Sequence, residues 1–226
     1  MGKVTFNAAQ VPATPTYNWN FTDPNIGLMD VGWVSTDAPG PGPAATGIQN
    51  IQTSVLPRSV YEPILGQVRA GAEGTLGGGE FIYLAVPTST AIPLGTVVTY
   101  SGSTAPSPYQ VAALPAKGTS QKSGVPIAVC VASTSYNSGN GITSNTTQVQ
   151  YAWFQCGGNC QALKTAVQVA PGSSVAMASG TAGRIYFTSS AGGAILGSRQ
   201  ANSATVTSTA SCVLIYLNGR PVIEGP

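Results

Sequence analysis

Residues 148–156 read Gln-Val-Gln-Tyr-Ala-Trp-Phe-Gln-Cys, and this stretch decides the predicted fold class. Its large apolar side chains Val149, Tyr151 and Trp153 alternate with smaller or polar residues. A period of two places successive side chains on opposite faces of a β-strand. The stretch is therefore predicted to be a strand with one buried face and one face in contact with water.

Short runs of the same kind recur on both sides of this stretch. They are rich in Val, Ile, Thr, Tyr and Phe, and turn residues bound them. Together they predict eleven strands, at residues 64–70, 80–86, 95–101, 109–114, 126–134, 148–156, 165–170, 174–179, 184–188, 204–209 and 211–218. No segment carries a sustained helical periodicity. We therefore expect a mainly β protein, a small β-barrel or β-sandwich of short antiparallel strands.

The first 63 residues differ in composition and are predicted to form an extended, Pro-rich N-terminal arm, followed by a β domain over residues 64–226. Proline recurs through residues 11–25 and 37–47, which prevents long helices and favours extended backbone. The arm still carries large apolar groups, which disordered linkers lack. Its candidate contact residues are Tyr17, Trp19, Phe21, Leu28 and Trp33. Two packing partners remain open for them: this chain's own barrel, or a neighbouring subunit.

Charge is scarce, because only 7% of the 226 residues are charged, whereas about 25% is usual for a soluble domain. The nine basic residues are scattered singly, so we expect no nucleic-acid binding, which needs them clustered against phosphates. The chain has no histidine, the usual general base of hydrolases, and we expect neither an enzyme nor a cofactor. Hydroxyls, amides and neighbouring subunits are expected to take the place of the missing surface charge.

The sequence also predicts no membrane association. Its longest apolar runs fall well short of the ~20 residues that cross a bilayer, and the N-terminus lacks the apolar core of a signal peptide. We therefore expect neither a membrane span nor secretion by a signal peptide.

The four cysteines are Cys130, Cys156, Cys160 and Cys212. Cys156 and Cys160 flank Gly-Gly-Asn in a turn-like motif, which is compatible with half of a zinc site or with a disulfide. Cys130 and Cys212 lie in apolar runs, where a free thiol behaves as a small hydrophobic group. Three states of the Cys156 and Cys160 pair thus remain open, of which we favour buried free thiols without metal.

Glycine is concentrated at residues 74–81, which read Gly-Thr-Leu-Gly-Gly-Gly-Glu-Phe. A phosphate-binding loop would lead into the N-terminus of a helix with Lys-Ser or Lys-Thr. Here Glu80 and a predicted strand follow instead. We therefore expect an exposed loop tip and no nucleotide site.

Four motifs from residue 64 onward resemble those of tailed-bacteriophage structural proteins, and above all small capsid decoration (cement) proteins. They are Gly-Glu-Phe-Ile-Tyr-Leu at 79–84, the proline-opened apolar strand at 126–132, Tyr-Ala-Trp-Phe-Gln at 151–155 and a turn, Gly-Ala-Ile-Leu-Gly, at 193–197. The resemblance covers about 160 residues and consists of strand and turn residues without a catalytic signature. It does not extend into the arm.

The resemblance implies a non-enzymatic virion protein that binds the outer surface of a bacteriophage head and stabilises it. Its expected partners are the major capsid protein and further copies of itself, arranged as a homotrimer. Its expected location is the outer surface of the capsid, after synthesis in the host cytoplasm. Two alternatives remain open: a phage tail or fibre component, and a carbohydrate-binding β module that uses Trp19, Trp33 and Trp153 as stacking platforms.

Overall fold

The computed structural model describes residues 65–73, 77–102, 109–115, 124–131, 141–142, 144, 146–147, 149–187, 193–219 and 221–223, and the backbone of three short strands between residues 21 and 35. All regular structure in these residues is β, with no helix. Every pairing between named strands is antiparallel. The prediction of a mainly β chain of antiparallel strands is confirmed.

The described part of the chain contains fourteen strands. They are β1 (Phe21–Asp23), β2 (Gly27–Met29), β3 (Val34–Ser35), β4 (Val68–Glu73), β5 (Gly77–Val86), β6 (Val97–Tyr100), β7 (Val111–Ala113), β8 (Val125–Cys130), β9 (Gln150–Leu163), β10 (Ser174–Met177), β11 (Ile185–Phe187), β12 (Ala194–Gln200), β13 (Cys212–Leu217) and β14 (Val222–Ile223).

Strand β9 is 14 residues long and organises the others. Along one edge it pairs with β5, from the Val86–Gln150 pair to the Gly79–Gly158 pair. Along the other edge it pairs in turn with β3, β8 and β13. Because so many strands share β9 as a neighbour, its course sets the position of the rest of the sheet.

The strand pairings close two circuits that share β8 and β9. In the β13 barrel, β9 pairs with β13, β13 with β12, β12 with β14, β14 with β8, and β8 with β9. In the β5 barrel, β5, β9, β8, β6 and β7 pair in that order, and a bridge between Gln110 and Ala85 returns the circuit to β5. Closure removes exposed sheet edges. The architecture is therefore two fused small barrels, which decides between the barrel and the sandwich.

The two shared strands have both faces buried. In β8, Ile127 and Val129 belong to the core of the β13 barrel, whereas Ala128 and Cys130 belong to the core of the β5 barrel. The alternation of period two is thus present, but both sets of side chains are apolar. A strand between two cores has no face left for water.

The prediction that one face of residues 148–156 contacts water is wrong. Ala152 and Phe154 are fully buried in the β5 barrel, and Gln150 is buried as well. On the opposite face Trp153, 5% exposed, packs in a third cluster with Phe81 and Tyr83. Both faces of this stretch are therefore buried, each against a different apolar cluster.

Strand β9 passes from one barrel to the other at its Gly-Gly-Asn segment. Gln155 pairs with Phe81 but Gly157 pairs with Glu80, so Cys156 is an extra residue in the ladder, a β-bulge. Gly158 then has φ = +83°, and a Cβ there would overlap the carbonyl oxygen of Gly78. Only glycine combines this φ with such a close backbone approach. The segment predicted as a turn is therefore continuous strand.

Four other local predictions are corrected. Residues 77–81, expected in an exposed loop tip, lie in β5 and pair with β4. The turn expected at 193–197 lies largely in β12, with Gly197 at φ = +77° inside the strand. The strands expected at 165–170 and 204–209 are reduced to one bridge between Val169 and Val206. Strand β14 was not predicted. In the first two cases pairing with a distant strand outweighs the local turn propensity.

The arm residues lie partly outside the described part of the chain. Tyr17, Trp19 and Trp33 are outside it. Phe21 and Leu28 are backbone positions in the paired strands β1 and β2. Strand β3 pairs with β9 through Val34–Ala152 and Ser35–Tyr151. The boundary between an arm over 1–63 and a domain over 64–226 stays a prediction.

Gly158→Ala is expected to lower the free energy of unfolding by about 2 kcal/mol or more, because the new Cβ meets β5 backbone at an unfavourable φ. Gly78→Ala is the matched control, since its Cβ would lie 3.9 Å from the nearest atom, the Gly71 carbonyl oxygen. The control should change stability by less than about 0.5 kcal/mol. Urea denaturation measures both variants, and equal stabilities would contradict the assigned crossing.

Candidate functional site

The outer surface of the β13 barrel carries the most exposed large apolar side chains of the described residues. Tyr186 on β11 is 38% exposed, Leu196 on β12 is 47% exposed and Tyr216 on β13 is 37% exposed. Their chain neighbours Ile185, Ile195 and Ile215 are buried in the barrel core. Since side chains alternate along a strand, the exposed residues point outward. Together with Arg199 on β12, we call Tyr186, Leu196 and Tyr216 the aromatic face.

Strand register joins these residues into one surface. Arg199 is directly opposite Tyr216, and its guanidinium carbon lies 5.6 Å from the centroid of the Tyr216 ring. On its other side Arg199 is opposite Ser174 of β10, and Ala176 of β10 is opposite Tyr186. Small residues thus lie between the large ones across four neighbouring strands. The cation–π geometry holds the charged group of Arg199 over an aromatic ring at the surface.

The four strands of this surface carry one cation, Arg199, and no acid; the next acid along the chain is Glu224, directly after β14. Residues 81–223 contain no Asp or Glu, so no carboxylate on β10–β13 offsets Arg199. The nearest acid before this stretch in the chain is Glu80 on β5, whose side chain lies beside Gly157 and Gly219. The aromatic face is therefore suited to an acidic, partly apolar partner.

Lys164 is a buried cation in the β13 barrel, with only 1% of its surface exposed. Its Nζ donates hydrogen bonds to the carbonyl oxygens of Val167 at 2.8 Å, Thr165 at 3.2 Å and Ser208 at 3.5 Å. Burial lowers the pKa of this ammonium, and the nearby Cys212 thiol acts in the opposite direction. Lys164 thus ties together the two loops that follow β9 and precede β13.

The four cysteines are buried and form no disulfide. Cys130 and Cys156 lie in the core of the β5 barrel, whereas Cys160 lies in the core of the β13 barrel. Burial raises the pKa of Cys160, and the neighbouring Cys156 adds to this; burial also raises the pKa of Cys212, to about 11. In the structure Cys156 and Cys160 are buried thiols and form no disulfide. Among the described residues no three His, Cys, Asp or Glu side chains are grouped so that they could hold a metal.

The sequence predictions located these features only in part. Trp153, a suggested stacking platform, is buried among Phe81 and Tyr83 and offers no surface. Tyr186, Leu196, Arg199 and Tyr216 were not singled out. Alternation gave no signal in β13, a continuous apolar run in which Tyr216 is the one exposed residue. Nothing in the sequence marked Lys164 as buried.

Comparison with protein-family models and with curated protein sequences finds no match for this chain. Among the described residues, no helix has the length and apolar character needed to cross a membrane.

A thiol titration tests the cysteine assignment. In the native protein none of the four thiols is expected to react with Ellman's reagent at pH 8, because all four are buried and out of its reach. After unfolding in guanidinium without reductant, all four should react with Ellman's reagent. Release of only two equivalents after unfolding would instead show a disulfide.

Stability is expected to fall at alkaline pH because of Cys212. The pKa of the Cys212 thiol is 9.0 in the unfolded chain and about 11 in the folded protein. The contribution of this thiol to the free energy of unfolding is therefore complete below pH 9 and is lost as the pH rises through 11. This loss amounts to about 2 kcal/mol at pH 11. Lys164 works in the opposite direction, because its lowered pKa makes folding more favourable as the pH approaches 10.5.

The pH dependence of stability in Cys212→Ala, compared with that of the wild type, separates the contribution of the Cys212 thiol from that of Lys164. Between pH 8 and 11 the variant should lose about 2 kcal/mol less of its free energy of unfolding than the wild type. Urea denaturation at a series of pH values measures this difference. Parallel pH profiles for the two proteins would contradict the role given to Cys212.

Proposed function

We propose that this chain is a non-enzymatic virion structural protein that binds the outer surface of a bacteriophage head and stabilises it, as a capsid decoration protein does. The observation that carries the proposal is the aromatic face, where Tyr186, Leu196, Arg199 and Tyr216 project from a barrel surface of very low charge. Tyrosine and arginine are enriched in the parts of protein interfaces that contribute most to binding. Contact with other proteins is thus the function that this surface suits best.

The residues of the family resemblance support the proposal through the fold. Residues 79–84 lie in β5, 126–130 in β8, 151–155 in β9, and most of 193–197 in β12. These strands take part in the circuits of the two barrels. The residues of the resemblance therefore lie in the strands that form the two barrels. This is expected of a family whose members share a structural role.

The interior is consistent with a structural subunit. Its reactive side chains are enclosed, since the four thiols are buried and Lys164 is bonded to backbone carbonyls. Burial of apolar area contributes roughly 25 cal/mol per Å². A modest contact that is repeated at every equivalent position of a shell therefore strengthens the whole particle.

The arm is the proposed anchor to the capsid. Its apolar residues Tyr17, Trp19, Phe21, Leu28 and Trp33 occur in a segment that proline keeps from forming a long helix. An extended segment of this kind can lie across an adjacent subunit or the major capsid protein and add a strand to an exposed sheet edge. Burial of one such aromatic group contributes roughly 1.5–3 kcal/mol.

Full-length protein is expected to bind expanded, empty heads of the phage that encodes it and not the unassembled capsid subunits, because a head surface joins several subunits at each site. Co-sedimentation with purified empty heads measures binding. The temperature at which genome-filled heads release their DNA, with and without the protein, measures stabilisation. Binding to tails alone, or to neither particle, would contradict the proposal.

Deletion of residues 1–60 tests the arm within this proposal. The shortened chain is expected to keep its β-sheet circular dichroism and to bind heads far more weakly. Binding as tight as that of the full-length protein would show that the arm is not the anchor. Loss of folding would show that the arm belongs to the core of its own chain, through contacts such as the pairing of β3 with β9.

A further inference from the structure

We propose that the aromatic face is the docking surface for a second copy of this chain, which binds through its acidic segment at residues 21–37. Copies would then associate head to tail. This inference rests on the proposed function, in which the chain acts as a homotrimer, and it names the two surfaces that meet.

Charge complementarity identifies the occupant. Residues 21–37 contain Asp23, Asp30 and Asp37 but no Lys or Arg. The aromatic face carries Arg199, and residues 81–223 contain no carboxylate. Opposite charge on the two surfaces attracts and orients them, whereas two aromatic faces in contact would bring two Arg199 groups together. A contact between unlike surfaces is therefore favoured over a symmetric pairing of like surfaces.

The backbone of β3, which belongs to the acidic segment, pairs with β9 at a distance from the aromatic face of the same protomer. Within the acidic segment, β3 pairs with β9 at Tyr151 and Ala152. The pairing of β9 with β13 begins seven residues further on, at Gly158, opposite Leu217. At about 3.3 Å per residue this separation is roughly 20 Å along β9. A head-to-tail contact between two different surfaces closes into a ring when the rotation between copies allows it.

The apolar members of the face complete the binding surface. Leu196 and the tyrosine rings supply area that loses water on contact, and Arg199 is already held over the ring of Tyr216. An arginine fixed in this way loses little side-chain freedom on binding. The acidic segment matches this surface, because it contains Phe21 and Trp33 beside its aspartates.

Sedimentation equilibrium of the full-length protein without heads tests the inference. Arg199→Glu is expected to weaken self-association roughly tenfold or more, as is usual for a central interface residue. Tyr216→Ala should weaken it in the same direction. Thr205→Glu is the control, because it adds a carboxylate at an exposed residue outside the face and should leave association unchanged.

A charge exchange identifies the segment. Asp30→Arg alone should weaken association, and its combination with Arg199→Glu should restore most of it. The same exchange is made at Asp23 and at Asp37. If none of the three double variants restores association, the assignment of the acidic segment is wrong. Circular dichroism monitors folding, and Arg199→Gln replaces Arg199→Glu if that variant is unfolded.

These experiments distinguish a failure of the inference from a failure of the proposed function. A wild-type chain that is monomeric, or an Arg199→Glu variant that associates like the wild type, overturns the inference even if the protein binds heads. An Arg199→Glu variant that self-associates normally but loses head binding also overturns it, because the face then docks on a different protein. Self-association that depends on Arg199, in a protein that does not bind heads, supports the inference and contradicts the proposed function.

Discussion

The close approach of the β9 and β5 backbones at Gly158 is the constraint on which the rest of the structure depends. A side chain there would overlap the carbonyl oxygen of Gly78, and the φ of +83° is one that other residues rarely adopt. The bulge at Cys156 and this glycine let one long strand leave the β5 barrel and continue into the β13 barrel. Without that change of course β9 would not contribute to both cores.

Sharing β8 and β9 has a direct effect on the interior. Each shared strand lies between two apolar surfaces, so its side chains are buried on both faces and its ionisable groups are kept from water. This explains why burial is the leading cause of the raised pKa of Cys160 on β9. Burial also raises the pKa of Cys212, which lies on β13. Lys164, directly after β9, is buried too, and backbone carbonyls surround its ammonium. The reactive groups of the interior are thus enclosed by the fold, and contact with other molecules belongs to the outer strands.

The outer strands carry few charged side chains, so each one has a large effect on the electrostatics of the surface around it. On the β13 barrel Arg199 stands among tyrosine, leucine, alanine and serine side chains, with no acid on the neighbouring strands. The acidic groups are concentrated before residue 81. This separation of charge along the chain is what the proposed contact between copies requires.

The sequence by itself determined the fold class and most strands, because period-two alternation and bounding turn residues are local properties. It also determined that the chain has little charge and no histidine. It did not determine where β9 ends, because Cys-Gly-Gly-Asn-Cys has the local preferences of a turn, and only hydrogen bonds to β5 and β13 keep it extended. The wet face predicted for residues 148–156 failed for the same reason, since burial on both sides depends on a second barrel that no local pattern reveals. The pairing of Arg199 with Tyr216 and the burial of Lys164 were likewise decided by tertiary structure, because register and barrel closure join residues far apart in the chain.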